Sequence, residues 1–243
     1  MNYLELLKFI NEIACCKGKT ERDKYDKFIN EIACCKGKTE RDKYDKTRYK
    51  CNKSNGHKPL VMYPKNSAYI MLISESPSVP ASINRALNNS NNPSFRESIL
   101  PLIFNNCKEN DQVLEDEFNN KFYWTHFCKC CPGNTDEKGN LNQICANAYL
   151  KKEIELFYPK LIITIGRYAS KYLFGLGRRK SMEPLVNRIN QYNLNNSDKV
   201  DTVCLTHFST ENRKETKIRL QLEQTEQLLR RKLKTLGVQY VIE

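Results

Sequence analysis

Apolar residues along this chain fall into short continuous runs that end at polar or glycine-containing turns. Such runs occupy residues 69–74 (YIMLIS), 122–127 (FYWTHF) and 160–166 (KLIITIG), and a shorter run begins at residue 202 (TVCL). Runs of this length, rich in β-branched and aromatic side chains, are typical of strands with both faces buried. The pattern therefore predicts four core strands.

Longer stretches with a helical spacing of apolar residues separate these runs. They cover residues 95–105, 111–119, 146–157, the segment from 167 onward, and 213–235. Pro159 is expected to end the third of these helices, because proline donates no backbone N–H and restricts the residue before it. The C-terminal helix carries an apolar stripe suited to packing against the core. That stripe consists of Ile218, Leu222, Leu229, Leu233 and Leu236.

The alternation of strands and helices predicts a parallel sheet joined by crossover helices. We expect a single-domain, three-layer α/β/α fold around a central, mostly parallel four-stranded sheet. Residues 183–198 are polar and rich in asparagine, and they are interpreted as a loop. Residues 237–242 are interpreted as an additional edge strand.

An exact duplication marks the N-terminal part of the chain. Residues 8–26 and 27–45 are identical copies of KFINEIACCKGKTERDKYD. Identity at every position indicates a recent tandem duplication, because the repeats of solenoid proteins drift and come in larger numbers. We therefore divide the chain into an N-terminal helical segment, residues 1–46, and a globular domain, residues 47–243.

The charge balance favours a polyanionic partner. The chain has 40 Lys and Arg against 28 Asp and Glu, a formal net charge of +12, and nucleic acid is the simplest partner for such a surface. No apolar run approaches the ~20 residues of a membrane-spanning helix, so we expect no membrane partner. We expect an intracellular protein, in the cytoplasm, nucleoid or nucleus, and a monomer. In that setting the eleven cysteines favour a metal or cluster site over a disulfide framework.

Polar side chains follow three of the predicted strands. Residues 74–78 (SESPS) follow the first strand, residues 128–132 (CKCCP) follow the second, and residues 207–209 (HFS) follow the last. Open parallel sheets bind their ligands at the carboxyl ends of the strands. These residues are therefore the candidates for a functional site.

The order and form of these motifs resemble the uracil-DNA glycosylase superfamily, especially its iron–sulfur, family 4-like branch. The SESPS segment is similar to a G-E-x-P-G motif with both glycines replaced by serine, and HFS to an H-P-S motif with phenylalanine replacing proline. Residues 129–132 (KCCP), Cys145 and residues 153–169 resemble the K-C-x-P element, the second cysteine and the helix–strand segment of that branch.

The resemblance implies two catalytic residues. Glu75 would orient or activate the attacking water and favour the cationic sugar, and His207 would donate a hydrogen bond to uracil O2 as the anion forms. Five further residues are implied to bind substrate. These are Ser74, Ser76, Phe95, His126 and Ser209.

Two of these roles have structural alternatives. Phe95 would stack on the flipped base, or it is a core phenylalanine at the start of a helix. His126, at a position where the family has asparagine, would read the pyrimidine edge or favour another deaminated base, or it is a packed structural residue. Ser209 would belong to the loop that enters the DNA minor groove.

The resemblance also implies a cluster held by four thiolates. Cys130 and Cys145 match the third and fourth ligands, and Cys35 and Cys51 are the best candidates for the first two, although their spacing departs from C-x-x-C. Rival ligands are Cys34, Cys128 and Cys131. Four cysteines suit a [4Fe–4S] cluster, and zinc at the same cysteines is the alternative.

The expected function is that of a DNA repair glycosylase. It would flip out and excise uracil, or a related deaminated base, from single- or double-stranded DNA. The alternative is a catalytically degenerate iron–sulfur DNA-binding protein of the same fold, which the altered residues around Glu75 and His207 motivate. A serine hydrolase built on Ser76 and His207 is disfavoured, because the chain has no G-x-S-x-G turn.

Overall fold

A computed structural model describes most of the chain beyond residue 63. The described residues are 64–65, 67–77, 92–104, 111–129, 143, 146–177, 180–195, 197–207, 216–239 and 241. The N-terminal segment 1–46, its tandem repeat and the boundary at residue 47 lie outside them. The domain division therefore stays a prediction.

The described residues form an α/β domain around one sheet. Its strands are β1 (Ile70–Ser74), β2 (Phe122–His126), β3 (Leu161–Ile165), β4 (Ile189–Asn193) and β5 (Lys199–Leu205). Their order in the sheet is β2-β1-β3-β5-β4. The first four strands in this order are parallel, and β4 runs antiparallel to β5. The α/β fold class and the mostly parallel sheet are confirmed.

Five helices in the described part of the chain accompany the sheet. Helix α1 joins a π-helical turn, Phe95–Ile99, to an α-helical turn, Leu100–Phe104, and α3 joins Ala146–Leu150 to Lys151–Phe157 in the same way. The others are α2 (Asp111–Lys121), α4 (Arg167–Leu173) and α5 (Thr216–Thr235). Among the described residues, none of these helices combines the length and the apolar character needed to cross a membrane.

The sheet is buried on both faces, which explains the continuous apolar runs. In β1, Ile70 and Leu72 belong to the core under α1, α2 and α5, whereas Met71 and Ile73 belong to the core under α3 and α4. Successive strand side chains point to opposite faces, so a strand between two helical layers needs apolar residues at nearly every position. This is the three-layer arrangement.

The end of α3 confirms the expected stop before Pro159. Tyr158 adopts a left-handed conformation with φ 51°, and its N–H bonds to the Ile154 carbonyl at 2.9 Å. A left-handed residue commonly closes a helix. Strand β3 then begins only three residues after Tyr158.

Two predictions about the sheet edges need correction. Residues 183–198 are not only a loop, because β4 forms within them and makes the sheet five-stranded rather than four-stranded. Strand β4 was missed because it is an edge strand whose side chains alternate between exposed and half-buried. Such a strand does not need a continuous apolar run, and asparagine and glutamine occupy several of its positions. Within 237–242, the described residues 237–239 and 241 form no strand, and Val238 and Val241 pack into the core.

Candidate functional site

The ends of three parallel strands bring the sequence motifs together at one edge of the sheet. Backbone pairing continues beyond β1 and β2, since the N–H groups of Phe127 and Cys128 donate to the Ser74 and Glu75 carbonyls, both at 2.8 Å. Beyond β3 and β5, the Gly166 N–H donates to the Leu205 carbonyl at 2.9 Å. The segments carrying Glu75 and His207 therefore both flank the start of α4.

The Glu75 carboxylate lies against Gly166 at the N-terminus of α4. It accepts hydrogen bonds from the backbone N–H groups of Arg167 and Tyr168, donors that a helix leaves without intrahelical partners. A Cβ atom added to Gly166 would lie 2.7 Å from Glu75 Cδ, and Gly166 has φ +92°. Only glycine meets both demands, so the position of the carboxylate depends on Gly166.

The surroundings of Glu75 shift its pKa in opposite directions. Burial of the half-buried side chain raises the pKa of Glu75, and the charges of His207 and Arg167, with the two backbone donors, oppose that shift without cancelling it. His207 is exposed. The two residues that the sequence analysis singled out as catalytic thus interact, one fixed and partly desolvated, the other open to solvent.

Ser74 is accommodated by the indole of Trp124. The Trp124 Nε1–H donates to Ser74 Oγ at 2.8 Å, and Ser74 Oγ lies 3.5 Å from the Thr125 carbonyl oxygen. A serine at this position therefore replaces a glycine without leaving an unpaired hydroxyl. Ser76 is half-buried.

His126, the last residue of β2, is buried without a hydrogen-bond partner. Its side chain is 1% exposed, and neither Nδ1 nor Nε2 is hydrogen-bonded within the described part of the chain. Burial, and secondarily the charge of Lys129, place the pKa of His126 well below its ordinary value, which favours the neutral imidazole. A buried polar atom without a partner costs about 1–3 kcal/mol, so a group bound at this edge is expected to satisfy the ring.

Phe95 is completely buried beneath this edge. Its ring makes an edge-on contact with Phe118, at a centroid distance of 4.9 Å, and stacks near Trp124 at 6.1 Å. The Trp124 ring in turn lies 5.5 Å from the ring of His126. These contacts favour the core alternative for Phe95, and base stacking by this residue stays a prediction.

The proposed metal ligands are mostly outside the described residues. Cys34, Cys35, Cys51, Cys130, Cys131 and Cys145 all lie there, as does Ser209. Cys128 is described and fully buried. Within the described ranges no group of three or more His, Cys, Asp or Glu side chains is arranged to hold a metal ion. Neither a cluster nor zinc is tested by this geometry.

Sequence reasoning missed a buried polar cluster beside the site, which we call the Lys129 cluster. Lys129 Nζ contacts Glu153 Oε2 at 2.5 Å and donates to Thr125 Oγ1 at 2.6 Å. The Tyr123 and Thr125 hydroxyls donate to Glu153 Oε1 at 2.5 and 2.9 Å. Lys129 and Glu153 are 1% and 0% exposed. The sequence contained one indication of this cluster, namely that the charged residues Lys129 and Glu153 lie within apolar segments.

Sequence reasoning also missed Arg167 as a neighbour of Glu75. The Arg167 guanidinium stacks on the Tyr168 ring at 4.9 Å and donates to the Tyr168 hydroxyl at 2.8 Å. The signal available in the sequence was the position of Arg167 directly after Gly166, the glycine that follows β3. A cation held there favours the ionised form of Glu75 and is suited to a phosphate.

Comparison with known proteins is consistent with this arrangement. The model of the Uracil DNA glycosylase superfamily matches residues 60–234. A Type-4 uracil-DNA glycosylase of Sulfurisphaera tokodaii is 34% identical over 50 residues. That alignment covers 21% of this chain and 23% of the relative, so the chain matches less than a quarter of the relative's length.

Proposed function

This chain belongs to the uracil-DNA glycosylase superfamily, and on that premise we propose that it is a DNA glycosylase that hydrolyses the N-glycosidic bond of a deaminated base, uracil first among them. The observation that carries the proposal is that Glu75 and His207, at the carboxyl edge of the sheet, lie near enough for the charge of His207 to lower the pKa of Glu75 against the effect of burial. A carboxylate and an imidazole with opposite tasks are the minimum that this reaction needs.

Glu75 is proposed to serve the sugar side of the reaction. Cleavage of the N-glycosidic bond leaves positive charge on the sugar, and a carboxylate held in place stabilises it without reorganisation. The contacts with Gly166 and with the backbone of Arg167 and Tyr168 fix one side of the carboxylate. Its remaining lone pairs are then available to orient the attacking water.

His207 is proposed to serve the base side. The departing base carries negative charge, and a hydrogen bond that strengthens as this charge develops lowers the barrier. An exposed imidazole at a strand end can meet a base that has been flipped out of the duplex. The neutral or protonated ring can donate such a bond.

DNA binding is proposed to rely on the basic surface. Several Lys and Arg side chains of α5 are exposed, namely Lys217, Arg219, Arg231 and Lys234. Two of them also contact acidic neighbours, since Lys217 pairs with Glu183 and Arg219 with Glu223. Contacts with phosphates would make the affinity fall steeply with salt.

A [4Fe–4S] cluster at Cys35, Cys51, Cys130 and Cys145 remains part of the proposal, with zinc as the alternative. The support is the number of cysteines and their resemblance to the family 4-like pattern. Iron and zinc content of protein purified without oxygen decides between the two metals. Cys→Ser changes at each of the four positions, with Cys34, Cys128 and Cys131 as comparisons, identify the ligands.

The function is tested by base release from an oligonucleotide with a single uracil, in single- and double-stranded form. The parent is expected to leave abasic sites, and Glu75→Gln and His207→Ala are each expected to lower the single-turnover rate by about 10²–10³-fold. Glu155→Gln is the matched control, because Glu155 is a half-exposed carboxylate that pairs with exposed Lys151. Tight DNA binding without release of any deaminated base would instead support the degenerate binding protein.

A further inference from the structure

The peptide unit between Gly166 and Arg167 makes two hydrogen bonds in opposite directions. Its N–H, the backbone N–H of Arg167, donates to the Glu75 carboxylate. Its carbonyl, that of Gly166, accepts from the Ser170 hydroxyl at 2.8 Å. A trans peptide unit is planar and rigid, so a side chain that holds the carbonyl also sets the direction of the N–H. Ser170 is therefore linked to Glu75 through one rigid group.

A second hydroxyl, on β3, continues this link into the core. Thr164 Oγ1 lies 2.7 Å from Ser170 Oγ. The single hydroxyl hydrogen of Ser170 is used on the Gly166 carbonyl, so Ser170 accepts from Thr164 and Thr164 is the donor. The hydrogen bonds therefore run in one order, from Thr164 through Ser170 and the peptide unit to Glu75.

The core end of this chain of hydrogen bonds is closed to water. Thr164 and Ser170 are both 0% exposed. Burial raises the pKa of the neighbouring Cys204 thiol to about 11, against the opposing effect of its hydrogen bonds with Thr164 and Ser170. Cys204 therefore keeps its proton at neutral pH and supplies a donor to the Thr164 oxygen. Each of the two hydroxyl groups thus has a partner, and no solvent competes for it.

Hydrogen bonds that follow one another in this way strengthen each other. A hydroxyl that accepts a hydrogen bond becomes a better donor, and a peptide unit whose carbonyl accepts one becomes a better N–H donor. The effect is greatest where the local dielectric is low, as it is among buried groups. The Arg167 N–H is therefore a stronger partner for the Glu75 carboxylate than a backbone N–H outside such a chain would be.

We propose that Ser170 and Thr164 are positioning residues for Glu75, which act through the peptide unit at the start of α4 to hold its carboxylate in place. The inference rests on the proposed glycosylase function for the task of Glu75. It adds two buried residues that act on this carboxylate from the core side of the sheet edge.

The test measures the single-turnover rate of uracil release as a function of pH. Ser170→Ala is expected to lower the rate by about 2- to 10-fold near neutral pH. Because the Arg167 N–H favours the ionised form of Glu75, weakening this bond raises the pKa of Glu75. The acid limb of the profile, where Glu75 takes up a proton, should therefore move to higher pH. Among the described residues, His207 and Arg167 are the charged groups that face Glu75, and both stay in place.

A second pair of variants tests the order of the chain. Thr164→Val keeps the shape of the side chain without the hydroxyl, whereas Thr164→Ser keeps the hydroxyl. Only the valine variant is expected to move the acid limb, and by less than Ser170→Ala. In the Ser170→Ala background, Thr164→Val is expected to move the limb no further, because its route to the peptide unit is already lost.

Thr225→Val is the matched control for a hydroxyl that only stabilises a helix. Thr225 is buried, and its hydroxyl donates to the carbonyl four residues earlier, that of Gln221, at 2.7 Å. This bond is of the same kind as that of Ser170 but lies within α5, so its loss should lower the free energy of unfolding and leave the pH profile unchanged. An acid limb that Ser170→Ala does not move, or that both variants move equally, would overturn the inference.

A titration of Glu75 separates this inference from the proposed function. Carbon NMR of protein labelled at the glutamate carboxyl carbon follows the ionisation of Glu75, whose signal is the one missing from Glu75→Gln. A raised pKa of Glu75 in Ser170→Ala supports the link even if no base is released. An unchanged pKa of Glu75 in folded Ser170→Ala overturns it, whatever the protein releases. If Ser170→Ala does not fold, the same titration of Thr164→Val decides in the same way.

Discussion

Two polar regions meet at the end of β2, on opposite faces of the sheet. On one face, Thr125 belongs to the Lys129 cluster, where each side chain bonds to another member. On the other face, adjacent His126 is equally buried and has no partner in the described structure. A completed buried network fixes a fold, whereas an incomplete one is open to a ligand. Thr125 and His126 are therefore similarly buried, but Thr125 stabilises the fold whereas His126 remains available to a ligand.

The largest effect is expected from breaking the Lys129 cluster. Glu153→Leu leaves the Lys129 ammonium buried without its carboxylate, and the free energy of unfolding should fall by about 3–5 kcal/mol. Chemical denaturation measures this. Glu155→Leu on the same helix is the control, since its exposed pair with Lys151 should contribute less than about 1 kcal/mol.

A double change sharpens that result. Lys129→Met with Glu153→Leu removes both charges and should recover most of the loss. A double variant as unstable as the single one would show that the hydrogen bonds, rather than the unpaired charge, account for the effect.

Gly166→Ala should damage the site and spare the Lys129 cluster. The new methyl group would overlap the Glu75 carboxylate and impose strain at φ +92°, so activity should fall at least ~10-fold and stability by about 1–3 kcal/mol. Gly175→Ala is the matched control, because Gly175 also has a positive φ but has open space where a Cβ would be. Equal loss of activity in the two variants would contradict the role of Gly166.

The two faces can be compared directly through Thr125 and His126. Thr125→Val keeps the shape of the side chain and removes its hydroxyl from Lys129 and Glu153, which should cost about 1–3 kcal/mol. His126→Phe removes two unsatisfied nitrogens, so in the absence of DNA it should leave the free energy of unfolding unchanged or raise it by up to about 3 kcal/mol. Thermal and denaturant unfolding give both values. A larger loss for His126→Phe would reverse the comparison.

The smallest effect is a difference in pH dependence. The pKa of His126 lies well below the ordinary 6.5 in the folded chain, so the unfolded chain binds a proton first as the pH falls. The parent should therefore lose stability below about pH 6.5, by at most about 1.4 kcal/mol per pH unit from this residue. His126→Phe should show a flatter profile between pH 7 and 5. Parallel profiles would mean that His126 titrates normally.

The sheet and helices were predictable because burial on both faces imposes a continuous apolar pattern on β1, β2 and β3, and because Pro159 marks a helix end. Strand β4 could not be predicted in this way, because one of its faces is exposed and its sequence is therefore largely polar. The positions of Glu75 and His207 at strand ends followed from parallel topology. Their electrostatic interaction could not be predicted from the sequence, since it depends on how Glu75 is placed against the start of α4.

The partners within the Lys129 cluster were equally hidden from sequence reasoning. Glu153 lies 24 positions beyond Lys129, and no periodic pattern connects a residue after a strand with one inside a helix. For Phe95 the sequence left two roles open, and its contacts with Phe118 and Trp124 favour the core. The pattern reveals which residues are polar, and only the packing reveals which of them remain unsatisfied.

Trp124 is the single tryptophan of the chain, and it stands between Phe95 and His126 with its indole N–H on Ser74. The tryptophan fluorescence of the protein therefore originates beside the candidate functional site. A base stacked or hydrogen-bonded near His126 would alter the emission of that indole without any added label. The chain thus carries an intrinsic optical probe, with which stopped flow would time the binding and release of the proposed substrate.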